Sequence, residues 1–89
     1  MRGAVPGTVS LHSVEVRLAR LLLQGAEGDA VQRRRWATQA EMAARLGTVP
    51  DVVNRALRKL ALAGLIHVER QQIRILDRAR LRVVAQVDA

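Results

Sequence analysis

Eighty-nine residues make one domain, which excludes a catalytic core joined to a separate regulatory domain. Apolar residues form 49% of the chain, yet there is no Phe and no Tyr, and Trp36 is the only aromatic side chain. The core must therefore come from Leu, Val, Ala and Ile, and single-strand binders that stack bases on aromatic platforms are disfavoured. With no Cys, disulfide scaffolds, Cys-based zinc sites and thiol nucleophiles are excluded. No apolar run is long enough to span a bilayer and no secretory core follows Met1, so a soluble, cytoplasmic chain is expected, with no membrane partner. Fifteen Lys+Arg against eight Asp+Glu give a net charge of +7, and every cation but Lys59 is an arginine. A single domain this basic carries the electrostatic footprint of a polyanion binder, because the planar guanidinium fork matches phosphates and guanine edges. A high-GC genome would enrich Arg, Ala, Val and Leu as well. The placement of the charge, not its sum, has to decide.

Residues 1–12 hold Gly3, Pro6 and Gly7 without apolar periodicity and read as a flexible lead-in, leaving 13–89 as the domain. A first helix is expected from Ser13, a capping residue, with Glu15 in the first turn where a negative charge suits the dipole. At about 100° per residue, Val14, Leu18, Leu21 and Leu22 share one face, and Arg17, Arg20 and Gln24 another. Val16 and Leu23 fall about 180–200° from Val14, outside that face, and are expected to meet another domain or a second copy. Gly25 to Asp29 ends the helix, and Val31 to Ala37 reads as a short strand carrying Arg33, Arg34 and Arg35, a solvated basic edge. Trp36 is expected as a plug between that strand and the helices.

Thr38-Gln39-Ala40-Glu41 has capping-box spacing; the helix it opens should bury Met42, Ala43 and Leu46 and stop at Gly47. Pro50 opens the next helix, since its fixed φ suits the first helical position, and that helix ends near Gly64. Leu65–Val68 and Ile73–Leu76 are β-rich runs separated by Glu69 to Gln72, a hairpin. Asp77 then caps a last short helix through about Ala85. Two helices joined by a tight turn and followed by a hairpin describe a mainly α fold with a small β-hairpin wing, a winged helix-turn-helix.

The helix opened by Pro50 is the candidate reader. With Asp51 at zero, Asn54, Arg55, Arg58 and Lys59 fall within an arc of about 140°, and Val53, Ala56, Leu57 and Leu60 lie opposite. Val52 sits at the edge, and Leu62 is expected to tuck under the hairpin. An ordinary solvated amphipathic face would look similar. This face, however, is net positive, it carries the Asn and Arg able to bind adenine and guanine bidentately, and it follows a tight turn where a recognition helix must lie. Asp51, Asn54 and Arg55 are the candidate base readers, with Asp51 spaced to hold the Arg55 guanidinium. Phosphate anchoring falls to Thr38 and Gln39 at an anion-friendly helix start, together with Arg58, Lys59 and Arg70.

Thr38 to Gly47, Val53 to Leu60, Gly64 to Arg70 and Ile73 to Asp77 together resemble the C-terminal winged-helix domain of CRP/FNR-type bacterial transcription regulators, over Ser13 to about Ala85. GntR-type regulators share the Arg55-Ala56-Leu57-Arg58-Lys59-Leu60 pattern with Gly64-Leu65-Ile66. Their wings usually carry a Gly-x-Gly-Thr/Ser-aromatic-Val run, absent here, whereas the Ile73-x-Ile75-x-Asp77 exit is CRP/FNR-like. The resemblance implies sequence-specific binding to double-stranded DNA, a homodimer in the full-length setting with a sensory β-barrel and a dimerisation helix, and RNA polymerase as a further partner. It places Arg55 where the family's guanine-reading arginine stands and Asp51 where a glutamate accepts from a base. Pro50 stands where some members have a second base-reading arginine, Val49 and Val52 replace hydroxyl residues that touch phosphate, and Gln71 replaces a common wing glycine, which implies a wider turn.

No catalytic constellation is visible. His12 and His67 are the only histidines, without Cys and among scattered carboxylates, so neither a metal site nor a cofactor is expected; His67 should face solvent or DNA. Ser10, Ser13 and Thr38 read as caps rather than nucleophiles. Beside the DNA-binding reading stands a winged helix whose basic face binds an acidic protein.

Overall fold

The computed structural model describes residues 11–33 and 38–86. The expectations for the lead-in before residue 11, for Arg34, Arg35 and Trp36 lie outside the described residues. Within the described residues, four helices and three strands follow in the order α1 (Leu11–Gly25), β1 (Ala30–Gln32), α2 (Gln39–Leu46), α3 (Pro50–Leu62), β2 (Ile66–Val68), β3 (Gln72–Ile75) and α4 (Arg78–Gln86). No helix is long and apolar enough to cross a membrane among the described residues.

The first helix starts earlier than its sequence suggests. Ser13 lies inside α1 instead of capping it, and Glu15 falls beyond the first turn, which holds no acidic residue. Val14, Leu18 and Leu22 are buried as the 3.6-residue period requires, joined by Ala19. Val16 is buried too, and Leu23 packs against the core, so neither offers the free apolar surface that a helical wheel assigns to it. The reason is the place of α1 in the fold: it takes α4, α3 and α2 as neighbours, so more than one of its faces is covered.

The two helices of the helix-turn-helix end the same way. Gly47 (φ 70°) follows α2, and its N–H and that of Thr48 bond the carbonyls of Ala44 and Ala43; Gly64 (φ 79°) follows α3, with its N–H and that of Leu65 on Ala61 and Leu60. Each pair satisfies orphan carbonyls through a left-handed glycine, the conformation at which a Cβ is strained. Leu65 thereby turns back into the core, while Leu62 is left 81% exposed and does not tuck under the hairpin. At the other ends, the Thr38 Oγ1 accepts the Glu41 N–H at 3.2 Å, and Asp77 accepts the Arg80 N–H at 3.0 Å, so both proposed caps are in place.

The short strand expected from Val31 is present as β1, over Ala30–Gln32, and joins the hairpin as a third strand. β3 lies in the centre, antiparallel to both β1 (Val31 opposite Ile73) and β2 (Val68 opposite Ile73). Val31, Ile66, Ile73 and Ile75 point into the core, while His67 and Arg74, directly opposite each other, point out. The wing turn closes tightly, with the Glu69 N–H on the Gln72 carbonyl at 2.8 Å, rather than widening. No described residue other than glycine has a positive φ, so this turn requires no glycine and accepts Gln71. Arg20 Nε donates to the Ala85 carbonyl, fastening α4 back onto α1 and satisfying one of its terminal acceptors.

Candidate nucleic-acid interface

Two local features set the direction in which α3 presents its side chains. Val49 is extended (φ −115°, ψ 157°) and makes no side-chain cap, and Pro50 takes over the start of the helix. Val53, Ala56, Leu57 and Leu60 then anchor the inner face, which leaves Asp51, Asn54, Arg55, Arg58 and Lys59 exposed on the other. All five residues of the outward arc stand where the wheel puts them.

The arc is organised by three polar contacts. Arg55 Nε lies 3.4 Å from Asp51 Oδ2, one turn back on the same helix, and both side chains are open to water. Gln39 Nε2 donates to Asn54 Oδ1 at 3.1 Å, joining the first residue of α2 to the middle of α3. Lys59 Nζ lies 3.4 Å from Glu15 Oε2 of α1. Arg58 has no ion-pair or hydrogen-bond partner among the described residues and projects freely into solvent. Arg55 and Asn54 are thus oriented without being buried, an arrangement in which a base edge can replace water at little cost.

Beside this arc lies a concave basic surface. A cleft of about 450 Å³ is lined by Arg33, Thr38, Gln39, Arg70 and Gln71, bringing the start of α2 and the wing turn face to face. At the helix start the Thr38 hydroxyl donates to Glu41 Oε1 at 3.0 Å, so the capping-box glutamate reaches the hydroxyl. The amides of Gln39 and Ala40 have no acceptor among the described residues, as expected of the first turn of a helix, and they add positive potential to the cleft. On the wing, Glu69 collects Gln72 Nε2 (3.0 Å), Arg74 Nη1 (3.8 Å) and His67 Nε2 (4.0 Å). Arg70, at the tip, has no such partner among the described residues.

The expected site residues therefore fall into one surface with two parts. Asp51, Asn54, Arg55 and Arg58 lie on α3; Thr38, Gln39 and Arg70 surround the cleft; Gln39 belongs to both. Lys59 is on the rim and is turned toward α1.

Two contributors are not evident from sequence. Arg33, expected as part of a solvated strand edge, instead braces the wing: its N–H bonds the Gln71 carbonyl at 2.9 Å and its Nη1 the Glu69 carbonyl at 3.0 Å. Nothing in the Arg33-Arg34-Arg35 run singles out the first. Glu15 is the other, and no local spacing links it to Lys59.

A profile of the Crp-like helix-turn-helix domain matches residues 16–84. No curated protein matches the chain. Among solved structures it is similar to a protein from Eubacterium rectale assigned to the Crp/Fnr family of transcriptional regulators (28% identity, TM-score 0.72, covering 82% of this chain and 33% of that one). It is similar also to a CRP/FNR-family transcriptional regulator from Thermus thermophilus (27% identity, TM-score 0.70, 84% of this chain and 41% of that one). A third, from the same organism, is its catabolite activator protein (29% identity, TM-score 0.64, 84% and 33%). The chain spans only a third to two fifths of the length of these relatives. The match runs through both helices of the helix-turn-helix and the wing, in agreement with the Ile73-x-Ile75-x-Asp77 exit and against the GntR-type alternative. With four helices and a three-stranded antiparallel wing among the described residues, and a profile match over most of its length, the chain belongs to the Crp-like helix-turn-helix domain family.

Proposed function

We propose that this domain is the DNA-reading part of a transcription regulator and binds double-stranded DNA in a sequence-specific way, without catalysing a reaction. The observation that carries the proposal is the outward arc of α3: one helix buries Val53, Ala56, Leu57 and Leu60 and presents Asn54, Arg55 and Arg58 together, next to a basic cleft. An α-helix of this kind fits the major groove, where Arg55 takes the O6/N7 edge of a guanine. Asp51 holds the guanidinium in that pose or accepts from a neighbouring cytosine N4. Asn54, steadied by Gln39, meets an adenine or a phosphate. The wing lies along the backbone, with Arg70, Arg58, Lys59, Thr38 and Gln39, helped by the first-turn amides of Gln39 and Ala40, contacting phosphates, which position the domain but carry no sequence information.

In its full-length setting the regulator acts as a cytoplasmic homodimer, because helix-turn-helix proteins read two half-sites about 34 Å apart, and RNA polymerase is the partner through which it acts on transcription. A single unpaired domain would bind one half-site weakly. Selection of binding sites from a random duplex pool, followed by titration of a selected and an unrelated duplex at several salt concentrations, tests the proposal. A recurrent site bound tighter than the unrelated duplex, with log affinity falling linearly with log salt, supports it. Binding without any preferred sequence, together with tight capture of an acidic protein, would assign the basic face to protein interaction instead.

A further inference from the structure

The outward arc of α3 carries three cations, and two of them are matched by carboxylates of the same chain. The two carboxylates differ in how they are held. Asp51 belongs to α3 itself, is 74% exposed and travels with Arg55 into any groove that the helix enters. Glu15 belongs to α1, its side chain is only 16% exposed, and it meets Lys59 (57% exposed) at 3.4 Å where α1 packs on α3. A carboxylate covered to that degree has little room to swing aside. A DNA phosphate approaching Lys59 would find the ammonium already engaged and a fixed negative charge beside it.

We propose that Glu15 sets the strength of DNA binding, by standing in for a DNA phosphate at Lys59 and so holding down the sequence-independent part of the attraction. The inference rests on the DNA-binding reading above. Sequence-independent affinity scales with the number of phosphates that the protein neutralises, and a lysine already matched by its own carboxylate contributes less than a full count. Among the cations of α3, Arg58 has no internal partner among the described residues to give up before meeting phosphate, and the base-edge contacts proposed for Arg55 and Asn54 do not involve Glu15.

Replacement of Glu15 by Gln keeps the size and polarity of the side chain and removes its charge. Titrated against a selected and an unrelated duplex, Glu15→Gln should bind both about 1.5- to 5-fold tighter, the range that ion pairs at a protein surface span. Its salt slope should steepen by up to about 0.9, one phosphate contact. In a Lys59→Ala background the same change should produce no gain. A tighter complex is an outcome that misfolding cannot produce. An unchanged affinity and slope in Glu15→Gln overturns the proposal, and so does an equal gain with Lys59 removed, which would make Glu15 one more diffuse negative charge. If the parent chain shows no salt-dependent binding to any duplex, the DNA-binding reading itself fails, and this inference with it.

Discussion

Replacing Arg55 with Ala should separate base reading from folding, because the proposed function gives the residue a part in the first and its exposed position leaves it little part in the second. Its side chain is 67% exposed, its partner Asp51 is 74% exposed, and the pair is joined at 3.4 Å across one turn of α3. An exposed i,i+4 pair of this kind stabilises a helix by about 0.3–0.5 kcal/mol, and the better helix propensity of Ala offsets part of that. The melting temperature should therefore move by no more than about 2–4 °C in a domain of this size. On DNA the same substitution should remove the proposed bidentate contact to guanine, worth about 1–3 kcal/mol of discrimination, or about 5- to 150-fold at one base pair. The assay is site selection repeated with the variant, backed by titration of duplexes altered at single positions and by thermal melting followed by circular dichroism. Loss of one G·C preference with a near-parent melting temperature is the expected result. An unchanged set of preferences with uniformly weaker binding would reduce Arg55 to a phosphate contact, and a melting temperature lowered by about 10 °C or more would make it a structural residue.

Other substitutions probe the rest of the surface and its support. Leu57→Ala, two residues on but on the buried face, should cost about 2–5 kcal/mol, a large share of the stability of a small domain, with a strongly lowered urea midpoint; a loss under about 1 kcal/mol would contradict the packing of α3 described above. Thr38→Ala removes the Oγ1 that accepts the Glu41 N–H and should cost about 0.5–2 kcal/mol in chemical denaturation, while leaving base preferences as they were. Arg70→Ala at the wing tip should weaken binding to every duplex alike and flatten the salt slope by about one unit, and a change of preference at a single base pair would show that the wing reads sequence.

What the amino-acid sequence determined by itself is everything governed by neighbours within about four residues. Pro50 and Gly47 bracket the turn because their backbone preferences are their own. Thr38 caps α2 and Asp77 caps α4 because hydroxyl and carboxylate reach the N–H three residues on. The polar and apolar sides of α3 separate as a 3.6-residue period requires, and Asp51 finds Arg55 at the spacing of one turn. These signals sufficed for the winged helix-turn-helix and for the outward polar face of α3.

The tertiary structure decided what depends on which surfaces meet. A helical wheel supposes one buried face, but α1 lies among three other helices, so Val16 and Leu23 are covered where the wheel leaves them open. Leu62 is exposed because Gly64 turns the chain and sends Leu65 inward in its place. The sequence places a short strand from Val31 but not its partner: β1 joins the hairpin because the packing brings it to the free edge of β3. The same holds at the site. Arg33 on the wing turn, Gln39 on Asn54 and Glu15 on Lys59 join residues far apart in the chain. No local energy term links such residues until the packing of α1, α2 and the wing around α3 brings their side chains within a few ångströms.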